Sequence, residues 1–231
     1  MERTAIILGA SGLTGGLLLE KMLAEDYFSR IRILVRNDFP GTSDRLDIHR
    51  VDFNLPETWV PLIRGDVLFS CIGTTNRQVK GDRLKYRKID YDLPLTAARE
   101  ASAHGVKKLL LISSAGADRN SGNFYLRLKG ELEWALQQLP FESIHILRPS
   151  FLLGKRAASR PTEVLMQKLT PVIRPLLTGR WKKYRPIESE TVAQTMVKLA
   201  KSPRTGKFVY DSDEIGNLPC PMEEKPAKSI L

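Results

Sequence analysis

The chain is poor in cysteine, has no long apolar run, and carries no zinc-finger, helix-turn-helix or RNA-recognition signature. Each shortage removes a class of protein. Only Cys71 and Cys220 occur in 231 residues, too few for a disulfide framework, so both are expected as reduced thiols. No apolar stretch approaches the roughly 20 residues that span a bilayer. The first apolar strand begins almost at Met1, which is read as leaving no room for a signal peptide. A soluble, cytoplasmic protein is therefore expected. No internal repeat is visible. What is present is a hydrophobic fraction of 42%, ample for the core of one large domain, or of one domain with a small appendage. A net charge of +10 suits a nucleic acid, an anionic membrane or a small anion. The densest basic stretch, Arg174 to Arg185, sets Arg180, Lys182 and Lys183 around Trp181 and Tyr184. Without a nucleic-acid motif beside it, a solvated basic loop is the favoured reading.

The chain is organised around its start. Thr4 to Leu8 is a short apolar, β-branched run, followed by Gly9, Gly12 and Gly15 at every third position and then by the apolar helical run Leu17 to Leu23. Strand, tight glycine turn and helix form the order of a dinucleotide site. Gly9 permits the turn, Gly12 lets a pyrophosphate approach the backbone, and Gly15 lets helix and strand pack closely. The intervening Ser11, Leu13 and Thr14 belong to the same loop, whose amides and helix dipole face the phosphates. The spacing, Gly-x-x-Gly-x-x-Gly, is a variant of the usual Gly-x-Gly-x-x-Gly.

A second strand, Ile31 to Val35, ends in Arg36, which stands 21 residues after Gly15. An acidic residue near that position holds the ribose of NAD. A cation suits a 2′-phosphate, so NADP(H) is favoured. Asp47 to Val51 is a third strand, closing on Asp52 and Phe53, where a carboxylate can accept from the adenine amine. Asp66 to Ser70 is a fourth, ending in Cys71, Gly73, Thr74 and Thr75 beside the cofactor ribose. Cys71 invites a redox reading, but packing is the commoner use of a lone buried cysteine. A long helix from Asp82 to Ala103, with Leu84, Ile89, Leu93, Leu95 and Ala98 as apolar positions and Pro94 as a bend, stops at Gly105. The fifth strand, Lys107 to Ile112, is nearly all apolar, as central parallel strands are. The alternation predicts an α/β, doubly wound parallel sheet with its ligand at the carboxyl ends of the strands.

The fifth strand ends in Ser113 and Ser114. Tyr125 and Lys129 follow, four residues apart, and so on one face of a helix. A phenol with a solution pKa of about 10 is a poor acid or base at neutral pH. A nearby ammonium brings its proton within reach of transfer. A serine hydroxyl at the strand end holds a substrate carbonyl or alcohol beside that phenol, and the lysine also binds the nicotinamide ribose. The set fits hydride transfer with a proton relay.

These stretches resemble the short-chain dehydrogenase/reductase superfamily, of the atypical or extended kind. They are most similar to the Tat-interacting, tumour-suppressor oxidoreductase family. The resemblance is carried by Gly9-Ala-Ser-Gly-Leu-Thr-Gly15, Gly73-Thr-Thr75, Ser113-Ser-Ala-Gly-Ala-Asp118, Asn123-Phe-Tyr-Leu-Arg-Leu-Lys-Gly-Glu131, Arg148-Pro149 and Ser159-Arg-Pro161. It implies a Rossmann-like, NADPH-binding protein in which Ser113 or Ser114, Tyr125 and Lys129 inherit the catalytic roles. It also implies that Arg148, Pro149 and Ser150, after a sixth strand (Glu142 to Leu147), border the nicotinamide. One departure is clear. Many superfamily members place an asparagine on the helix before the fifth strand, where this chain has Tyr86, Asp90 and Asp92.

The C-terminal third reads as a helix from Arg160 to Leu169, a proline- and cation-rich loop from Pro171 to Pro186, and a helix from Ile187 to about Ala200. A last strand, Gly206 to Tyr210, and a short helix, Ser212 to Ile215, complete it. The expected division is a dinucleotide-binding domain over 1–153, a small substrate cap integrated with it over 154–218, and a mobile tail over 219–231. Arg148, Arg156 and Arg160 either meet an anionic substrate or form surface salt bridges. The leading functional reading is an NADPH-dependent reductase of a small carbonyl substrate. The alternatives are an NADP(H)-sensing regulatory protein that acts through partners, and a sugar-nucleotide epimerase. The helices at 82–103 and 123–138 allow a monomer or a homodimer.

Overall fold

A computed structural model describes residues 2–75, 78–154 and 177–218. In chain order the elements are β1 (Thr4–Leu8), α1 (Leu13–Leu23), β2 (Arg30–Val35), β3 (Leu46–Arg50), β4 (Val67–Ser70), α2 (Arg83–Arg87), α3 (Leu93–Ala103), β5 (Lys108–Ile112), α4 (Phe124–Gln137), β6 (Ser143–Arg148), β7 (Leu152–Leu153), β8 (Ile187–Glu188), α5 (Ser189–Lys201), β9 (Gly206–Asp211) and α6 (Ser212–Ile215). Seven strands make one sheet in the order β3-β2-β1-β4-β5-β6-β9, parallel throughout. The chain winds outward from β1 through β2 to β3, returns to β4, and then winds the other way. That reversal opens a crevice between the carboxyl ends of β1 and β4, where Leu8 is in register with Ser70, and a doubly wound sheet takes its ligand there.

Parallel strands are covered on both faces, so the central ones are apolar at almost every position. Alternate residues then divide between two cores. Ala5, Ile7, Ile31, Ile33, Phe69 and Leu110 meet Leu18 and Met22 of α1 and Val192, Met196 and Leu199 of α5. Ile6, Leu8, Leu34, Leu68, Leu109, Leu111, Ile144 and Ile146 meet Leu95 and Ala98 of α3 and Leu132 and Leu136 of α4. Each large aliphatic side chain so buried contributes roughly 1.5–3 kcal/mol.

Several expectations change in detail. Helix α1 starts at Leu13 rather than Leu17, because Gly12 already has the extended backbone of an N-cap (φ −84°, ψ 171°) and the following glycines join the first turns. The single helix expected over 82–103 is interrupted by a π turn at Lys88–Asp92, in which the Leu93 amide reaches the Lys88 carbonyl. Pro94 supplies the reason: it has no N–H for the Asp90 carbonyl four residues back, so the helix widens there. Leu84, expected on the apolar face, is 81% exposed, because α2 completes little more than one turn before the phase shifts. Two of the described C-terminal elements join the main layers. Strand β9 completes the sheet beside β6, and α5 lies against α1. The Lys108 ammonium reinforces the junction by donating to the carbonyls of Leu199 (3.3 Å), Ala200 (2.9 Å) and Ser202 (2.6 Å) at the end of α5, where a cation also suits the helix dipole. Among the described residues, the β7–β8 pair and a 3-10 turn at Gly179–Tyr184 lie outside those layers. The helix expected at Arg160 to Leu169 and the tail after 218 lie outside the described residues.

Candidate functional site

The glycine turn has the tightest backbone crossing in the site. Gly9 adopts φ +87°, and a Cβ there would stand 2.7 Å from the Cys71 carbonyl oxygen; one at Gly15 would stand 2.1 Å from the Gly9 oxygen. Neither position tolerates a side chain. The Gly12 amide closes the turn on the Gly9 carbonyl at 2.9 Å. Helix α1 then begins with no side-chain cap and no acidic residue in its first turn. By contrast, Asn123 caps α4 through bonds from the Tyr125 and Leu126 amides. The first amides of α1 are left for an anion. Within the loop Ser11 is exposed, Leu13 is half-buried and Thr14 is buried. Gly154 lies against Leu13, where a Cβ would approach its methyl groups to 3.2 Å, and this brings the β7–β8 end of the chain up to the turn.

Arg36 is exposed at the end of β2, while its neighbour Asp38 pairs with Arg50 across the β3 end at 3.0 Å. The Asp52 carboxylate accepts the Asn54 amide at 2.8 Å through one oxygen, and Phe53 packs on the buried Trp59 with ring centroids 5.8 Å apart. Burial pushes the Cys71 thiol up to about 12, so it stays protonated at neutral pH and packs as a small apolar group. The loop after it is held from below. The Thr74 amide donates to Asp90 Oδ2 at 2.9 Å, and the Thr74 carbonyl accepts from the Tyr86 hydroxyl at 3.1 Å. The Gln78 side-chain oxygen accepts from the Thr75 amide and from the hydroxyls of Thr74 and Thr75.

Helix α4 lines up Tyr125, Lys129 and Glu133 at four-residue intervals, one turn above another. The half-buried Tyr125 ring packs edge-on against Tyr86 at 6.1 Å. Lys129 is 3% exposed, and its ammonium lies 2.9 Å from Asp90 Oδ1, whose side chain is 1% exposed. Burial alone would depress the Lys129 pKa; Asp90, then Tyr125 and Glu133, outweigh burial and hold it above its ordinary value. Glu133 receives the Ser113 hydroxyl and the Arg148 guanidinium, whose Nε is 3.0 and 3.1 Å from the two carboxylate oxygens. Burial would lower the Arg148 pKa, but the Glu133 carboxylate reverses the effect and raises it.

The structure therefore separates the two serines. The Ser113 side chain is buried and committed to Glu133. Ser114 is half-buried, and its hydroxyl makes only a long bond, 3.5 Å, to the Ala115 carbonyl. Buried Pro149 offers its carbonyl to the Ala115 amide, and Ser150 is tied to the Arg185 carbonyl and to Ser212. Asp90 and Glu133 were missed as site residues. Glu133 had a signal, since it is one turn beyond Lys129 on the same face; Asp90 meets Lys129 only through tertiary packing. A cleft of about 760 Å³ lies along α4, bounded by Gly116, Asp118, Glu133, Trp134, Arg148 and Tyr184, so that it borders the Glu133–Arg148 pair. It shares no lining residue with the glycine turn. Of the three arginines read as anion partners, Arg148 is paired with Glu133, and Arg156 and Arg160 lie outside the described residues.

The HIM1 family model matches residues 41–184. The protein HTATIP2 of Rattus norvegicus is 34% identical over 90% of this chain and 85% of its own length. The mitochondrial protein FMP52 of Eremothecium gossypii is 32% identical over 93% and 96%. The Bordetella bronchiseptica enzyme WbmH, solved in complex with NAD+, superposes with a TM-score of 0.70 at 14% identity, covering 98% of this chain and 85% of that one; at such identity the likeness is one of fold. The FMP52 relatives of several fungi are named as mitochondrial, which overturns the expectation of a purely cytoplasmic protein. That expectation rested on the lack of a long apolar run, on a first strand starting almost at Met1 and on two cysteines read as reduced thiols. Among the described residues no helix is long and apolar enough to cross a membrane, and this physical fact does not choose between aqueous compartments.

Proposed function

The chain belongs to the HIM1 family and, with HTATIP2, to the atypical short-chain dehydrogenase/reductases; from that premise we propose that it is an oxidoreductase that uses NADP(H) to reduce a small carbonyl compound. The observation that carries the reading is the crossing of Gly9, Gly15 and Cys71 at the β1–β4 crevice. It makes a cradle that any Cβ would fill, beneath helix amides with no side-chain cap. A dinucleotide pyrophosphate fits that donor set.

In this reading the turn from Gly9 to Gly15 holds the pyrophosphate and Arg36 holds the 2′-phosphate. Asp52 and Phe53 border the adenine, and Cys71, Gly73 and Thr74 form the ribose wall. The bound cofactor supplies the hydride. Lys129 donates to the nicotinamide ribose hydroxyls. Tyr125 gives its phenolic proton to the substrate oxygen, and Ser114 donates a hydrogen bond to the same atom, so that developing negative charge meets two donors. Ser113 takes no part, because its hydroxyl is spent on Glu133.

The test is a titration of the full chain with NADPH and NADH, followed by nicotinamide fluorescence, for the native protein and for Arg36→Ala. NADPH is expected to bind more tightly, and the variant to lose roughly tenfold or more of that affinity while NADH binding stays the same. A carbonyl-substrate screen with Tyr125→Phe as its control then follows. Binding of neither nucleotide refutes the proposal.

A further inference from the structure

We propose that the substrate is an apolar aldehyde or ketone, with an aromatic or aliphatic body, and that Phe151 is the residue that selects it. The proposal rests on the reductase reading above and names its substrate class. It starts from the ends of β5 and β6, whose pairing runs on past the strands. The Ser113 amide donates to the Leu147 carbonyl at 2.7 Å, and the Ala115 amide donates to the Pro149 carbonyl at 2.9 Å. Residues 149–151 are thereby laid beside Ser114, the serine assigned above to the substrate oxygen. Phe151 comes to the same strand ends with them.

Phe151 is 58% exposed, yet its backbone is fixed. Its carbonyl accepts the Ile187 amide at 3.0 Å. The preceding Ser150 donates its hydroxyl to the Arg185 carbonyl and its amide to Ser212 Oγ. A pinned chain therefore presents the ring to solvent, and apolar surface held out beside a reaction site is surface for a ligand to cover. The neighbouring wall has the same character. Ala115, Gly116 and Pro149 carry no side-chain donor or acceptor, and Ser150 has given its proton to Arg185. Next to Gly116 stands Tyr184, whose hydroxyl would be 3.9 Å from a Cβ at that glycine. The Trp181 ring, 53% exposed, follows it at a centroid distance of 5.8 Å. One carbonyl oxygen is thus provided for, by Ser114 and Tyr125, while the aromatic side chains offer area to an apolar body. A substrate with several hydroxyls would give up hydration against this wall and regain few hydrogen bonds. An aromatic or aliphatic one gains by burying its surface there.

The test measures kcat/KM with NADPH for benzaldehyde, hexanal and D-glyceraldehyde in the full chain. The native protein is compared with Phe151→Leu, Phe151→Asn and Ile48→Ala; Ile48 is a 37% exposed apolar residue on β3, the opposite edge of the sheet. The native protein is expected to prefer benzaldehyde and hexanal over glyceraldehyde by roughly tenfold or more. Phe151→Asn is expected to lower that preference by about tenfold, chiefly through KM for the apolar aldehydes. Phe151→Leu, which keeps an apolar side chain, and Ile48→Ala are expected to retain it. NADPH affinity, followed by fluorescence, should be the same in all four proteins. A native preference for glyceraldehyde, equal use of the three aldehydes, or a preference that survives Phe151→Asn overturns the proposal. So does a loss of NADPH affinity in Phe151→Asn, which would set the ring against the cofactor instead. Native protein that binds no nucleotide, or binds NADPH and reduces none of the aldehydes, refutes the reductase reading itself, an outcome distinct from all of these.

Discussion

His145 gives the most closely calculable prediction. It sits at 0% exposure in β6, its ring beside and nearly parallel to those of Phe208 and Tyr210 on β9, with ring centroids 5.2 and 5.9 Å away. Its Nε2 is 2.8 Å from the Ser143 hydroxyl and its Nδ1 2.9 Å from the Tyr210 hydroxyl. Burial, with the Lys108 and Arg204 charges adding to it, lowers its pKa to about 3, whereas an unfolded histidine titrates near 6.5. The folded state thus favours the neutral ring, and the unfolded state binds the extra proton. Stability from this group is complete above about pH 6.5 and falls as the pH drops toward 3. Between pH 7.5 and pH 5 the loss comes to about 2 kcal/mol, since the unfolded chain is then protonated and the folded one is not. The figure barely depends on the folded pKa while that stays well below 5. Urea unfolding at the two pH values measures it, with His145→Gln, which keeps donor and acceptor atoms but cannot titrate, as the comparison. The variant is expected to lose about 2 kcal/mol less than the native protein over the interval. An equal fall in both proteins would refute the argument and place the pH dependence elsewhere.

Two further substitutions probe the crevice. Gly15→Ala forces a Cβ against the Gly9 carbonyl; a cost of about 1–3 kcal/mol in thermal unfolding and loss of nucleotide binding are expected, and retained binding would contradict the cradle. Ser113→Ala and Ser114→Ala should divide cleanly. The first removes a donor from buried Glu133 and costs about 1–3 kcal/mol of stability, while the second leaves the melting temperature alone and lowers kcat with whichever carbonyl substrate the screen identifies.

The order of elements was legible because it rests on local patterns. Apolar runs such as Ile6–Leu8 and Leu109–Ile112 have only one place in a parallel sheet, its covered centre, and Gly9, Gly12 and Gly15 mark a turn by backbone permission alone. The four-residue spacing of Tyr125 and Lys129 likewise put them on one face of α4. The fate of each serine was not legible, since Ser113 and Ser114 are chemically alike and adjacent at one strand end. Only the arrival of Glu133 from α4 and Arg148 from β6 assigns Ser113 to the interior.

By itself, then, the amino-acid order determined the succession of strands and helices, the glycine turn and the residue types available for chemistry, because periodicity and backbone freedom act within a few positions. The tertiary structure decided which groups meet. Asp90 lies 39 residues before Lys129, and their contact exists because a π turn redirects one helix just where it packs on another. The same holds for α5 and β9: their apolar stripes were readable, but the partners that bury them, α1 and the free edge of β6, are chosen by packing over distances that no local pattern records.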